Sequence, residues 1–215
     1  MLNQLARSAF RPVWLVLFLL FSSLTNVFGQ PPIEVTEEVM RAVFPKAQSY
    51  SLKEGNPPVY RALQENPDSA ELETVGYLFE TPDMPPEEIG YSGPVDVLVG
   101  MDLKGNITGT KILYYIESYK SIRGDFINSE YFPNQFDDKN IIEGFRIGRD
   151  LDGISRATIT SWAVSRGIRN AARRVAEAYL SDSEFVSLTS ADAVGLQVLS
   201  AQSWEDMIQN DLVVN

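Results

Sequence analysis

Apolar residues recur at helical spacing in two parts of the chain. The first part follows Thr36, which is a candidate N-cap, and Pro45 ends it. The second part begins near Thr160 and is longer; its apolar stripe consists of Val164, Ile168, Ala171, Ala172, Val175 and Tyr179. The pattern predicts a short helix after Thr36 and a long amphipathic helix that starts near Thr160.

Strand-like patterns occupy most of the chain between these helices. Three candidate strands cover residues 57–63, 74–79 and 144–148. A candidate hairpin has one arm that starts at Val95, a turn at 102–106 and a return arm over 107–116. Gly76 inside the second strand suggests that a ligand or another backbone approaches closely there. The pattern predicts a single α+β domain with a mainly antiparallel sheet and a long helix near its end.

Composition narrows the chemistry that such a domain can perform. The chain has 215 residues, of which 44% are hydrophobic, and this supports one well-buried domain. It contains no cysteine and no histidine, which excludes thiolate and serine–histidine catalysis and histidine-ligated metals. A metal site would need oxygen ligands alone. A redox role would need a bound organic cofactor.

The balance of charge argues against nucleic acid as a partner. The chain has 18 basic and 29 acidic residues, and its formal charge is −11. Nucleic-acid-binding proteins need clustered positive charge to neutralise phosphates. We therefore expect no nucleic-acid partner.

Residues 1–29 have the pattern of an export segment. Arg7 and Arg11 precede an apolar run over 13–21, and Gly29 is small enough for a cleavage site. The run is short for a spanning helix, so a cleaved signal peptide is favoured over an N-terminal anchor. The expected organisation is a leader over 1–29 and a domain over 30–215, with a core at about 35–180 and a C-terminal extension over 181–215. The expected location is periplasmic or otherwise extracytoplasmic, with membrane anchorage as the alternative.

Residues 152–161 carry a dense group of hydroxyl side chains just before the long helix. The hydroxyls belong to Ser155, Thr158, Thr160 and Ser161. Hydroxyls at a helix start often cap free backbone N–H groups. The same free N–H groups and the helix dipole also form an anion site. The stretch therefore either caps the helix or holds a phosphate-bearing cofactor.

The order of residues in this stretch resembles the flavinylation motif of the FMN-binding domain family. Asp152, Ser155, Ala157 and Thr158 match the motif, whereas Arg156 stands where glycine is usual. Members include the G subunit of the Rnf complex, the C subunit of the sodium-pumping NADH:quinone reductase and NosR-type proteins. The resemblance implies FMN as cofactor, attached to Thr158 by a phosphodiester bond that an exported flavin transferase installs. Arg156 could donate hydrogen bonds to the phosphate or could obstruct the transferase.

The resemblance extends to other parts of the chain. Gly90-Tyr91-Ser92-Gly93 and the hairpin after it match the family's order of motifs, and Glu117 falls where the family has an acidic residue near the flavin. A solvated carboxylate at the strand edge is the alternative role for Glu117. The remaining candidate cofactor-binding residues are Thr160, Ser161, Tyr91 and Tyr77, of which the two tyrosines are candidate walls for the flavin ring.

Three functional interpretations follow from these residues. The favoured one is an exported electron-transfer flavoprotein that relays electrons to or from a membrane redox partner, and that is a carrier more than an enzyme with its own substrate. The second is a regulatory or assembly module that binds FMN non-covalently or not at all. The third, an all-oxygen hydrolase or metal protein, has little support because no paired-carboxylate motif is present.

Overall fold

The computed structural model describes residues 31–117 and 124–180. The described residues from Ile33 onward belong to one compact unit. The predicted leader over 1–29 and the predicted extension over 181–215 lie outside the described residues. Within the described ranges, no helix is both long enough and apolar enough to cross a bilayer.

A five-stranded antiparallel sheet forms the centre of the domain. Its strands lie in the order in which they occur along the chain. They are β1 (Ser49–Tyr50), β2 (Tyr60–Glu65), β3 (Leu72–Glu80), β4 (Val95–Asp102) and β5 (Ile107–Tyr115). The helices are α1 (Glu37–Val43) and α2 (Thr158–Tyr179), and short 3-10 turns cover Thr81–Asp83 and Pro133–Phe136. The predicted α+β class and antiparallel hairpin are confirmed.

The long helix α2 covers one face of the sheet. Val97 and Val99 of β4 point to this face, and they share one hydrophobic core with Val164, Ile168 and further residues of α2. The large buried side chains of residues 127–145 complete the core from the loops, namely Ile127, Phe132, Phe136, Ile141 and Phe145. This burial fixes the position of α2 and therefore of its N-terminus.

The short helix α1 covers the opposite face. Its N-cap is Thr36, whose hydroxyl accepts a hydrogen bond from the N–H of Val39 at 3.4 Å. Val43 and Phe44 pack with Leu98 in a second core cluster. Gly76 gives this helix room, because a Cβ there would lie 2.4 Å from Cε2 of Phe44. The close approach expected at Gly76 is made by this ring and by the backbone of β4, since the Met101 carbonyl oxygen would lie 2.5 Å from the same Cβ.

Three local predictions need correction. Residues 144–148 do not form a strand but a turn region with a single bridge between Ile147 and Leu151, because Phe145 is in the left-handed region with φ 47°. The strand expected at 57–63 begins later, at Tyr60. Helix α2 begins at Thr158, two residues before the predicted start near Thr160.

Candidate functional site

The hydroxyl-rich stretch forms the turn that leads into α2, and Asp152 is fixed at its start. The Asp152 carboxylate accepts a hydrogen bond from the Tyr131 hydroxyl at 2.6 Å, and this bond raises the pKa of Tyr131. The backbone N–H of Asp152 donates to Oε1 of Gln135 at 2.7 Å, and its carbonyl accepts from Nε2 of the same side chain at 3.2 Å. Asp152 therefore holds the turn against the 3-10 segment.

Ser161 closes the turn from inside the protein. Its buried hydroxyl accepts a hydrogen bond from the N–H of Ile154 at 3.1 Å and donates to the carbonyl of Ala157 at 3.0 Å. Both ends of the turn are thereby tied to the first turn of the helix. Ser161 positions the motif and has no exposed surface to offer a ligand.

Thr160 joins the turn to two other parts of the fold. Its buried hydroxyl accepts from the N–H of Tyr91 at 3.1 Å and donates to the carboxylate of Glu117. Gly90 permits this approach, since a Cβ there would lie 2.9 Å from the Thr160 oxygen. Glu117 is buried, with 8% of its surface exposed, so it is not a solvated edge carboxylate. The structure thus brings Glu117, Thr160 and the Tyr91 backbone together.

The other candidate side chains of the motif face outward. Ser155, Arg156 and Thr158 are all exposed, while Ala157 is buried beneath them. Among the described residues, none hydrogen-bonds to these three exposed side chains. Of the four hydroxyls in the stretch, Ser155 and Thr158 are therefore the two that a cofactor or a transferase can reach.

The N-terminus of α2 has no side-chain cap. Its N-cap residue is Ala157, and the first intrahelical bond runs from the Ser161 N–H to the Ala157 carbonyl at 2.8 Å. The backbone N–H groups of residues 158–160 consequently have no acceptor within the part of the chain that the structure describes. The first turn of α2 also contains no acidic residue. The capping interpretation is thus wrong, and the end of the helix is open to an anion.

The two candidate tyrosines lie in different places. Tyr91 is beside the motif, and 61% of its surface is exposed. Tyr77 stacks on Tyr179 with ring centroids 5.1 Å apart. Because Tyr179 is the last of 22 residues of α2, Tyr77 is about 30 Å along the helix from Thr158. The structure does not bring Tyr77 to the motif, since its ring lies against the last residue of α2.

Sequence reasoning assigned no site role to three residues that adjoin the motif. Tyr131 and Gln135 fix Asp152, and Trp162 lies one helical turn beyond Thr158 with 46% of its surface exposed. Trp162 could have been found from its spacing of four residues, which places it on the same helix face as Thr158. The contacts of Tyr131 and Gln135 depend on a loop whose path the sequence pattern does not give.

Residues 90–173 match the family model described as the FMN-binding domain. The resemblance to the FMN-binding domain family is confirmed. FMN is the cofactor of this family, and the matched range of the FMN-binding domain includes the Gly90 loop, the hairpin and most of α2.

Two known proteins are similar to this chain in sequence. One is the G subunit of the proton-translocating ferredoxin:NAD(+) oxidoreductase complex of Clostridium ljungdahlii, to which the chain is 24% identical over 154 residues. That alignment covers 69% of this chain and 76% of the relative. The other is the G subunit of the ion-translocating oxidoreductase complex of Yersinia pestis, to which the chain is 36% identical over 92 residues. The second alignment covers 39% of this chain and 43% of the relative.

The residues of the FMN-binding domain fit FMN, the cofactor that the family implies. A phosphate needs donors and a positive dipole end, and the uncapped N–H groups at residues 158–160 supply both. The exposed side chains of Ile159 and Trp162 give apolar surface beside them for a flat ring. The N–H groups would hold the phosphate end of FMN, and the two side chains would hold the ring end.

Proposed function

We propose that this protein is an exported electron-transfer subunit whose FMN is attached to Thr158 by a phosphodiester bond. The observation that carries the proposal is the exposure of the Thr158 hydroxyl at the first residue of an uncapped helix. A phosphate on this oxygen would lie at the free N–H groups and the positive end of the helix dipole. The names of the relatives, as subunits of ion- or proton-translocating oxidoreductase complexes, support a membrane redox partner.

Four residues of the stretch have roles in this proposal. The Thr158 oxygen bonds to the FMN phosphorus, and the neighbouring N–H groups donate to the phosphate oxygens. Arg156 is exposed beside them and can add charge-assisted hydrogen bonds. Thr160 and Ser161 hold the helix end in place from inside. The attached FMN supplies the redox chemistry, and the bond to Thr158 prevents its loss from an exported protein.

The proposal includes a flavin transferase and an export step. The transferase would take FMN from a flavin dinucleotide: the Thr158 oxygen bonds to the flavin phosphorus, the pyrophosphate bond breaks, the nucleoside monophosphate leaves, and the hydroxyl proton goes to solvent. Residues 1–29 would direct export and then be removed after Gly29. Sequencing the N-terminus of the exported protein tests the cleavage: a chain that starts at Gln30 supports a signal peptide, and an intact Met1 supports an anchor.

Covalent attachment is tested by in-gel flavin fluorescence. The full chain is expressed for export together with a flavin transferase, denatured and separated by electrophoresis. We expect a fluorescent band for the wild type, whose intact mass exceeds that of the bare chain by one FMN less one water, and loss of both the fluorescence and the added mass in Thr158→Ala. Ser155→Ala is the matched control, because it removes the other exposed hydroxyl of the same turn and should leave the band fluorescent.

The same experiment separates the non-covalent alternative. If FMN co-purifies with the native chain but is released on denaturation, the domain binds FMN without a bond to Thr158. A wild-type band that stays colourless while a known substrate of the same transferase is labelled contradicts the covalent proposal. Equal loss of fluorescence in Ser155→Ala would show that Thr158 is not the specific acceptor.

A further inference from the structure

A groove of about 360 Å³ lies between α2 and the loop that precedes the motif. Ile147 and Trp162 are among its apolar lining residues. Four arginines also line it, namely Arg146, Arg149, Arg166 and Arg169. Small-molecule sites have this size and character, a mostly apolar concave surface with a few convergent polar groups.

Three of the four arginines lack a carboxylate partner among the described residues. Arg166 is the exception, since its Nη2 lies 2.9 Å from Oε2 of Glu88. The closest acid along the chain, Asp150, accepts a hydrogen bond from the backbone N–H of Arg146 and forms no ion pair with the guanidinium groups. The chain as a whole carries a charge of −11. The groove therefore carries a concentration of unpaired positive charge, although the net charge of the chain is negative.

Arg169 provides an independent sign that an acceptor is missing. Its Nη1 donates to the carbonyl of Gly144 at 3.2 Å. Its Nε is buried and has no hydrogen-bond partner among the described residues. A buried donor without an acceptor is costly, and such groups usually have a partner. A ligand oxygen in the groove would supply one.

The groove begins close to the motif. Trp162 follows Thr158 by four residues and Arg169 follows it by eleven, so all three lie on one face of α2. The distance from Thr158 to Trp162 along the helix axis is about 6 Å. The exposed indole face of Trp162 is therefore within reach of a ring tethered to Thr158, and it is also open to a free ligand.

We propose that this groove binds a flat aromatic ring whose edge carries anionic or carbonyl oxygens. The ring lies against Trp162, and the oxygens accept hydrogen bonds from Arg146, Arg149 and Arg169. Two sources have this chemistry: the isoalloxazine of FMN on Thr158, and a free aromatic carboxylate. The first source rests on the proposed function, whereas the groove itself does not.

The first experiment tests the groove without flavin. The full chain, produced without a flavin transferase, is titrated calorimetrically with 2-naphthoate. We expect saturable binding that weakens at least tenfold in the Arg146→Gln/Arg149→Gln double variant and in Trp162→Leu. Arg174→Gln is the matched control, because Arg174 is exposed on α2 outside the groove and its loss should not change the affinity. Neutral 2-naphthamide should bind at least tenfold more weakly than 2-naphthoate.

Two results of this titration would overturn the proposal. One is the absence of saturable binding by the wild-type chain at millimolar 2-naphthoate. The other is an unchanged affinity in both groove variants, with circular dichroism showing that they are folded.

The second experiment identifies the source of the ring. If the flavinylated chain no longer binds 2-naphthoate, and Trp162→Leu increases its flavin fluorescence, the tethered ring occupies the groove. If the flavinylated chain binds 2-naphthoate as tightly as the flavin-free chain, the ligand is a free aromatic anion. A chain that accepts no flavin contradicts the proposed function, while the first titration still decides the groove.

Discussion

Arg156 adopts a backbone conformation that favours glycine. Its φ is 70°, in the left-handed region where a Cβ costs about 1–2 kcal/mol. Glycine removes this cost but loses more conformational entropy on folding, which offsets about 0.5–1 kcal/mol of the gain. We expect Arg156→Gly to raise the free energy of unfolding by about 0.5–1 kcal/mol, measured by urea denaturation of the flavin-free chain.

The control for this prediction is Arg156→Ala. It removes the same exposed side chain but keeps a Cβ in the left-handed conformation, so the free energy of unfolding should stay close to that of the wild type. If the alanine and glycine variants are equally stabilised, the effect comes from the lost charge and not from the backbone. The same conformation gives a physical reason why glycine is usual at this position of the motif.

At the scale of single residues, the sequence predicted the motif better than its contacts. The resemblance to the FMN-binding domain family implied Thr158 as the attachment site, whereas the spacing of hydroxyls before an amphipathic helix gave four candidates. The spacing could not separate the exposed Thr158 from the buried Thr160 and Ser161, because that depends on the rotation of the helix relative to the Gly90 loop. The position of Tyr77 could not be predicted for a similar reason, since its distance from the motif depends on which end of α2 its ring contacts.

Strand β4 contains a carboxylate that the fold disfavours in its charged form. Burial raises the pKa of Asp96, and repulsion from Glu87, Glu80 and Asp83 adds to the shift. Oδ1 of Asp96 is buried and has no hydrogen-bond partner among the described residues. The folded-state pKa of Asp96 lies above the unfolded value of about 3.9. Its contribution to the free energy of unfolding is therefore fully present below the unfolded pKa and is lost as pH rises through the folded pKa.

Replacement of Asp96 by asparagine removes this charge. We therefore expect Asp96→Asn to raise the free energy of unfolding at pH 7 and to change it little at pH 3, where the wild-type group is protonated in both states. Urea denaturation at the two pH values measures the difference. Glu65→Gln, at an exposed position of β2, is the control and should have little effect at either pH. An equal gain at both pH values for Asp96→Asn would exclude the electrostatic explanation.

At the scale of elements, strand alternation and helical periodicity predicted the regular elements correctly, whereas the sequence did not predict the irregular segments. The hairpin β4–β5 and helix α2 were predicted because their patterns persist over many residues. Residues 144–148 show a short alternation of apolar residues but form a turn region. Two of them, Phe145 and Gly148, have positive φ values of 47° and 82°. A pattern of five residues is too short to distinguish a strand from a loop that covers a core.

On the scale of the whole molecule, the sheet separates α2, which carries the motif, from the short helix α1. The core beneath α2 holds the N-terminus of that helix and the groove beside it. The second cluster packs α1 on the opposite face through Phe44 and Leu98. Because the two clusters have no side chains in common, we expect that stability can be changed on the α1 side without loss of cofactor attachment.

Gly76→Ala is the variant that tests this separation. Its Cβ would lie 2.4 Å from Cε2 of Phe44 and 2.5 Å from the carbonyl oxygen of Met101, so the α1 side of the sheet must shift. We expect the free energy of unfolding to fall by about 1–3 kcal/mol, as for other overpacked cores. Flavin fluorescence of the Thr158 band should persist under conditions in which the variant is folded. Adding Phe44→Leu should recover part of the stability by removing the ring contact. Loss of flavin attachment in a folded Gly76→Ala chain would show instead that strain crosses the sheet to the motif.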